Sequence, residues 1–551
     1  MLLVEGINIK KYYGDKLILD VKNLKIYSED RIGIVGVNGI GKTTLINILS
    51  KKDEPDQGIV NIYGSYSLVD QLGADEYGTI GQKIANKFGV SSTWSNNLSG
   101  GEKTRFKLAK CFEKENNIIF ADEPTSNLDM DGIELLEKNF NEYKSALAVI
   151  SHDREFMDKI CTKILELDDG NIKIYNGNYS SFKHQKNLER ERMLFEYEKY
   201  EKDKRNLEVS IEGAKQKAKT IRNAPARMGN SEARLHKMGN QKAKANLDRA
   251  TKNMKAKIDH LEVKEKPKRI QNIKFDALDI GELHRNIIIS GKNINKSFQN
   301  KIIFEGAEFD IYNNSRTALI GPNGSGKSTL IKMILSKNST IKKSHGLKIG
   351  YFSQDMDILD TESSILKNVI EDSIYDETFV RTLLSRLLFK GDEVYKKVKV
   401  LSGGERVKIS FAKVFLSDIT LLILDEPTNY LDINSLEVIE NALKNYTRTV
   451  LFVSHDRKFV SAVANSILSI EDHKLITFRG TYEEFKIKRN NRNDISTEEL
   501  KKQISVLEIQ LSEIISRLSM PSKNDVAEQL DKDYHHVLME LQECKKKLLG
   551  K

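Results

Sequence analysis

Two short runs hold the residues best placed to do chemistry: GVNGIGKT, Gly36 to Thr43, and GPNGSGKS, Gly321 to Ser328. Glycines at these spacings let backbone N–H groups approach phosphate oxygens, and the lysine and hydroxyl closing each run fall where a helix N-terminus favours an anion. Gly36, Asn38, Gly39 and Gly41 build the first cradle; Gly321, Asn323, Gly324 and Gly326 build the second. Lys42 and Lys327 reach for the outer phosphates of a nucleotide, while Thr43 and Ser328, followed by Thr44 and Thr329, offer a hydroxyl to Mg²⁺. Each run follows an apolar stretch (IGIVG, TALIG) and precedes a helical one (LINIL, LIKMI), the strand–loop–helix setting a phosphate cradle needs. Further along, IIFADE and LLILDE end in paired acids. Asp122 and Asp425 are placed to act on Mg²⁺, directly or through water, and Glu123 and Glu426 to polarise an attacking water. His152 and His455, each in SHDR, can touch the terminal phosphate and fix that glutamate. Gln71 and Gln354 offer a neutral side chain to the metal or the water, YSLVDQ being a weaker match than IGYFSQD.

What must position these groups is a pair of α/β domains. The motifs recur in one order: LSGGE at Leu98 and Leu401, DEPT at Asp122 and Asp425, SHDR at Ser151 and Ser454, then GNYSSF at Gly177 and GTYEEF at Gly480. Lys42 and Lys327 are 285 positions apart and the two glutamines 283, whereas Ser99 and Ser402, like Asp122 and Asp425, are 303 apart. The second copy therefore carries 20 more residues between its glutamine and its LSGGE, and the small helical subdomain of the first copy is trimmed. Runs such as RIGIVGV, NNIIFADEP and ALAVISHD predict buried strands. The sequence organises as residues 1–183, a linker over 184–285, residues 286–487 and a tail over 488–551.

The linker and tail read as helical hairpins. Leu207, Ile211, Ala214, Ala218 and Ile221 form one seam and Leu247, Ala250, Met254, Ile258 and Leu261 its partner. Pro225 and Gly229 break the first helix, and Asn230 or Ser231 with Glu232 starts the second. In the tail, Leu500 to Leu518 and Leu530 to Leu548 supply the seams, Pro521 the turn, and Ser496 with Glu499 a capping box that predicts a helix start. The formal charge of +9 is matched by the stretch Ile211 to His260 alone, with 13 Lys+Arg against 4 Asp+Glu. A basic surplus confined to one segment, with a tip near 222–240, points to a polyanion met there. Arg222, Arg227, Arg234, Lys237, Lys242 and Lys244 suit RNA phosphates, and Arg227 and His236 suit stacking on bases. A merely solvated helix pair is the plainer alternative, but such pairs interleave acids with bases, and this one hardly does after residue 211. Three isolated cysteines (Cys111, Cys161, Cys544) fit a reduced, cytoplasmic chain, and no signal peptide or apolar run of membrane-spanning length is present.

LSGGEKTR and LSGGERVK resemble the signature of ATP-binding cassette proteins, over residues 1 to 182 and 286 to 486. The resemblance implies two cassettes packing head to tail within a monomer. Lys42 then shares an ATP with Ser402, Gly403 and Gly404, and Lys327 with Ser99, Gly100 and Gly101; Tyr13 and Phe298 match the aromatic that stacks on adenine. Both sites keep a glutamate, so both are expected to hydrolyse ATP with Mg²⁺. Ile40, opposite Ser325, is a mild departure from the pattern. Two cassettes joined by a helical hairpin, with no membrane span, resemble the ABC-F family of ribosome-associated ATPases. That resemblance implies a linker entering the ribosomal E site toward the peptidyl-transferase centre, with large-subunit rRNA and P-site tRNA as partners. The linker tip, the trimmed subdomain and the C-terminal extension resemble the antibiotic-resistance branch of Vga or Lsa type, which relieves lincosamide, pleuromutilin and streptogramin A blockade. A housekeeping translation factor, a DNA-binding ATPase and the motor subunit of a transporter are the alternative roles. The nearly neutral tail weighs against DNA, and the trimmed subdomain and long hairpin weigh against a transporter.

Overall fold

The computed structural model describes residues 1–70, 78–95, 97–220, 230–264, 285–298, 301–336, 338–353, 358–428, 431–519 and 527–549. They fall into two compact units. The first comprises Met1–Trp94, Phe106–Thr125 and Glu137–Ile273; the second comprises Ser95–Arg105, Ser126–Leu136 and Lys274–Lys551.

In the first, strands β1 (Leu2–Tyr13), β2 (Lys16–Tyr27) and β4 (Gln57–Ile62) form an antiparallel sheet in the order β2-β1-β4. A six-stranded sheet joins β3 (Arg31–Val35), β5 (Tyr66–Val69), β6 (Ile118–Asp122), β7 (Ala146–Ile150), β8 (Lys163–Asp168) and β9 (Asn171–Asn176) in the order β5-β6-β7-β3-β8-β9. All its neighbours are parallel except β9, an antiparallel edge. β6 and β7 are buried at every position, as their unbroken apolar runs require of central parallel strands. The two sheets and helix α1 (Lys42–Leu49) enclose a core that includes Val4, Ile9, Leu19, Leu45, Phe120 and Ile150. α2 (Gln82–Phe88) and α5 (Arg154–Ile160) also belong to this unit, whereas α3 (Gly100–Glu113) and α4 (Met130–Glu142) are divided, their starts up to Arg105 and Leu136 counting with the second unit.

α6 (Tyr179–Thr220) and α7 (Asn230–Asp259) then pack along each other. At 1.5 Å per residue α6 is about 60 Å long. Ile211 and Ala214 are buried in the seam and Leu247, Ala250 and Met254 half-buried, as the heptad spacing predicts. The helix begins inside GNYSSF, earlier than the linker expected at 184, because Tyr179 and Phe182 are buried, Phe182 edge-on to Tyr175 at 4.9 Å. Pro225 and Gly229 lie outside the described residues.

The second unit repeats the plan with β10 (Ile287–Phe298), β11 (Lys301–Tyr312), β12 (Arg316–Ile320), β13 (Ile341–Lys343), β14 (Ile349–Phe352), β15 (Leu421–Asp425), β16 (Thr449–Val453), β17 (Ser466–Glu471) and β18 (Lys474–Arg479). Its sheets are ordered β11-β10-β13 and β14-β15-β16-β12-β17-β18. α8 (Lys327–Leu335) follows the phosphate loop. The interval before the second LSGGE, 20 positions longer than its counterpart, holds α9 (Ile365–Ile370), α10 (Glu377–Arg386) and two 3₁₀ turns, where the first copy has only α2 among its described residues. α11 (Gly403–Phe415), α12 (Ile433–Lys444) and α13 (Arg457–Val463) complete it. The tail hairpin is α14 (Tyr482–Ser519) with α15 (Ala527–Leu549), and Ile504, Leu530 and Leu541 are buried in its seam. Two expectations change here. Ser496 does not start a helix, since α14 runs unbroken from Tyr482; a helix already nucleated at its anchored root extends residue by residue at little cost. Leu518, expected in the seam, is exposed.

Candidate nucleotide sites

Three adjacent strands, β6, β7 and β3, deliver the first site at their carboxyl ends, where ligands of open parallel sheets bind. From β3 the chain enters the glycine loop and then α1, whose cap Gly41 is left-handed at φ 109°. The loop wraps the Lys42 ammonium, which donates to the Gly36 carbonyl at 2.8 Å and the Val37 carbonyl at 3.2 Å. In the second unit Lys327 donates to the carbonyls of Gly321 at 2.8 Å and Pro322 at 3.0 Å, and the cap Gly326 has φ 108°. Both loops thus hold their cation at the mouth of a helix N-terminus, with backbone N–H groups facing the same space.

The paired acids sit where β6 and β15 end. The Thr43 hydroxyl stands near enough to Asp122, and that of Ser328 to Asp425, to favour the charged carboxylate, so each hydroxyl expected on Mg²⁺ lies beside its acidic partner. Burial raises both aspartates above their usual range, with those hydroxyls opposing it. Glu123 and Glu426 each adopt φ 50°, the left-handed region that a side chain of this kind rarely enters. Their N–H groups are tied to the neighbouring strand, Glu123 to the Ile150 carbonyl at 2.9 Å and Glu426 to that of Val453 at 3.1 Å. This turn aims each carboxylate at the histidine beyond that strand: Glu123 Oε1 lies 3.3 Å from His152 Nε2, and Glu426 Oε1 3.3 Å from His455 Nε2. Burial drives both glutamates well above the usual carboxylate range. Burial, with Lys327 adding to it, pushes His455 down to about 4, so near pH 7 its ring and the Glu426 carboxyl do not form an ion pair.

Tyr13 and Phe298 are not core residues: they are 57% and 52% exposed, with the Lys296 ammonium over the Phe298 ring 5.0 Å from its centre. Gln71 and Gln354 lie outside the described residues. The signature serines are engaged within their own segments. Ser99 Oγ donates to Glu102 Oε2 at 2.7 Å and Ser402 Oγ to Glu405 Oε2 at 2.7 Å, and each oxygen accepts from that glutamate's N–H. The S-x-x-E spacing of a capping box encodes this within the signature itself. Gly403 has open space around it and Gly404 is half-buried at the start of α11.

In the second unit the phosphate loop has neighbours that the motifs do not reveal. The Asn323 N–H donates to Asp129 Oδ2 at 2.9 Å, and its side-chain amide donates to the Asn127 carbonyl at 2.8 Å. A Cβ on Gly101 would stand 2.8 Å from that same carbonyl, so the signature segment Ser99–Gly101 closes on Asn127 only as glycine. Burial pushes the other way, yet the N–H groups of Asn323 and Gly132 hold the Asp129 carboxyl below its usual range. The one sequence signal was the position of SNLDM directly after DEPT.

These residues fit a magnesium nucleotide. Oε1 of Glu123 and of Glu426 is buried without a hydrogen-bond partner, leaving an acceptor for water. Among the described residues no three His, Cys, Asp or Glu side chains gather as a metal cage, so an ion at Thr43–Asp122 or Ser328–Asp425 completes its shell with nucleotide and water oxygens.

A glycine loop, a strand-end acid pair and a histidine on adjacent parallel strands, present twice in one chain, define a tandem ATP-binding cassette ATPase. Family models described as ABC transporter match residues 19–85 with 304–429, and 165–245. The Ribosome protection protein VmlR of Bacillus subtilis is 30% identical over 560 residues, 97% of each chain. The Erythromycin resistance ATP-binding protein MsrA of Staphylococcus epidermidis is 30% identical over 81% of this chain and 93% of its own, and ABC transporter F family member 5 of Arabidopsis thaliana 30% over 91% and 79%. In fold, the chain resembles the archaeal ribosome recycling factor aABCE1 solved with stalk protein aP1, at TM-score 0.56 and 17% identity over 86% of this chain and 90% of that one. The chain belongs to the ABC-F family, and its cassettes bind and hydrolyse ATP.

Proposed function

We propose that this ATPase binds ribosomes from the cytoplasm, inserting the α6–α7 hairpin through the E site toward the peptidyl-transferase centre, and that it protects them from lincosamides, pleuromutilins and streptogramin A compounds. The observation that carries the reading is the hairpin itself: two helices of the first unit that run through a stretch whose cationic surplus equals the whole net charge. The similarity to VmlR, named for ribosome protection, over 97% of both chains supports it. Lys42 and its counterpart in the second copy, Lys327, would neutralise phosphate charge, Tyr13 and Phe298 stack on adenine, and the Glu–His pairs hold the attacking water. A Mg²⁺ ion at the Thr43–Asp122 and Ser328–Asp425 pairs, with Gln71 and Gln354, supplies charge neutralisation on the transferred phosphate. Ser99, Gly100 and Gly101 complete the Lys327 site, supported by their place in the same compact unit. Of the tip cations, Lys242 and Lys244 are exposed on α7; Arg222 and Arg227, and the side chains of Arg234, His236 and Lys237, lie outside the described residues.

The test is recovery of partners with the Glu123→Gln, Glu426→Gln double variant in ATP. Ribosomes held in ATP and released by salt are expected; DNA or a membrane permease in their place overturns the reading. Raised tolerance to the named drugs on expression separates protection from a housekeeping role in translation.

A further inference from the structure

The ATPase chemistry leaves the root of the C-terminal hairpin unassigned. α14 leaves β18 through Gly480 and Thr481, and residues 482, 486 and 489, one face of a helix, meet the first turns of α4. The Tyr482 hydroxyl donates to Met130 Sδ at 3.3 Å, and Lys486 Nζ lies 3.3 Å from Glu134 Oε1. The Arg489 guanidinium stands between Asp131 Oδ1 at 3.7 Å and Glu471 Oε1 at 3.8 Å. Immediately before Met130 comes Asp129, whose carboxylate takes one N–H from Gly132 of α4 and one from Asn323 of the phosphate loop, each at 2.9 Å. Every link, from α14 through the first turn of α4 to the loop that Lys327 closes, lies within the second compact unit.

We propose that Lys486 and Arg489 are positioning residues for the second nucleotide site, holding the start of α4 so that Asp129 orients Asn323, and that ATP at Lys327 and the seating of the C-terminal hairpin are thereby linked. This rests on the assignment of ATP to the Lys327 loop. The ion pairs are partly exposed, so each contributes modestly. They act together because Met130, Asp131 and Glu134 belong to one helical segment that moves with Asp129. Linkage of this kind is reciprocal: whatever the root does to ATP affinity, ATP does to the root.

The experiment uses the full chain carrying Lys42→Ala, so that Mg·ATP binding reports the Lys327 loop. Lys486→Glu and Arg489→Glu are each expected to raise the ATP Kd about two- to fivefold. Adding Glu134→Lys to Lys486→Glu should bring the Kd back to within about twofold of the parent. In the parent, ATP should slow amide exchange across residues 482–489, and this response should vanish in the Lys486→Glu, Arg489→Glu double variant. A purely structural contact would not answer to nucleotide, so exchange indifferent to ATP in the parent overturns the proposal. Single variants that keep the parental Tm and the parental Kd also overturn it, as does a charge swap no better than Lys486→Glu alone. ATP binding that survives Lys327→Ala in this background overturns the site assignment itself, a failure distinct from the others.

Discussion

At the scale of single residues, the two glutamates show a chain holding strain where chemistry is proposed. A left-handed φ of 50° at Glu123 and Glu426 costs free energy that the neighbouring-strand hydrogen bonds offset, and the return is a carboxylate aimed at its histidine. Glu426→Gln keeps this backbone and is expected to lower turnover at that site about 10²- to 10⁴-fold with ATP affinity retained, as read by single-turnover hydrolysis and nucleotide binding. A second residue-scale outcome concerns the buried pair of Lys408 and Asp432, 2.7 Å apart, in which the carboxylate also caps α12 through the Ser435 N–H. Burial opposes ionisation of Asp432, but Lys408 and Ser435 hold its carboxyl below the usual range. Its folded value is thus under the unfolded one, so the stability it contributes is complete above the unfolded 3.8 and fades as pH falls through the folded value. Urea titrations should show that acid loss in the parent and a smaller one in Asp432→Asn; Lys408→Ala should cost about 3–5 kcal/mol near neutral pH by stranding a buried charge. Most of the proposed catalytic set could be named from the sequence because its motifs are local. The partner of Asn323 was not, since Asp129 lies 194 positions away and no periodicity ties two loops together.

At the scale of elements, the phosphate loops depend on a turn only glycine enters without strain. A Cβ on Gly326, at φ 108°, would stand 2.4 Å from Ile303 Cγ2 and 3.0 Å from Phe304 Cζ, both core side chains. Gly326→Ala should therefore lower stability by about 1–3 kcal/mol in denaturant titration and weaken ATP binding at the same time. The buried central strands followed from unbroken apolar runs, and the hairpin seams from heptad spacing at Ile211, Ala214 and Ile504. Helix starts were harder to read. α14 begins at Tyr482, earlier than its local cap suggested, and α6 at Tyr179, ahead of the linker bound at 184, because burial of those tyrosines against their own units decides the start. A cap at Ser496 is a local preference of about 1 kcal/mol, too weak to break a helix held at its root.

At the scale of the whole molecule, charge and chemistry are segregated: the cassettes hold the nucleotide motifs, and the linker holds the cationic surplus. Removing Ala224 to Gly239 is expected to abolish ribosome association while ATP turnover stays within about twofold of the parent, the two being read by co-sedimentation and phosphate release. In the intact chain that association should weaken steeply with salt, log affinity falling linearly with log salt concentration as phosphate counterions are released. Among the described residues no helix is long and apolar enough to cross a membrane. The contact between Asn127 and Asn323 also sets a clock. Its two residues are 196 positions apart, and at about 5–20 residues added per second a growing chain waits roughly 10 to 40 seconds between making one and making the other. For that interval the newborn first cassette carries a loop whose hydrogen-bonding partner has yet to be synthesised, and it is the arrival of the second phosphate loop that ends the wait.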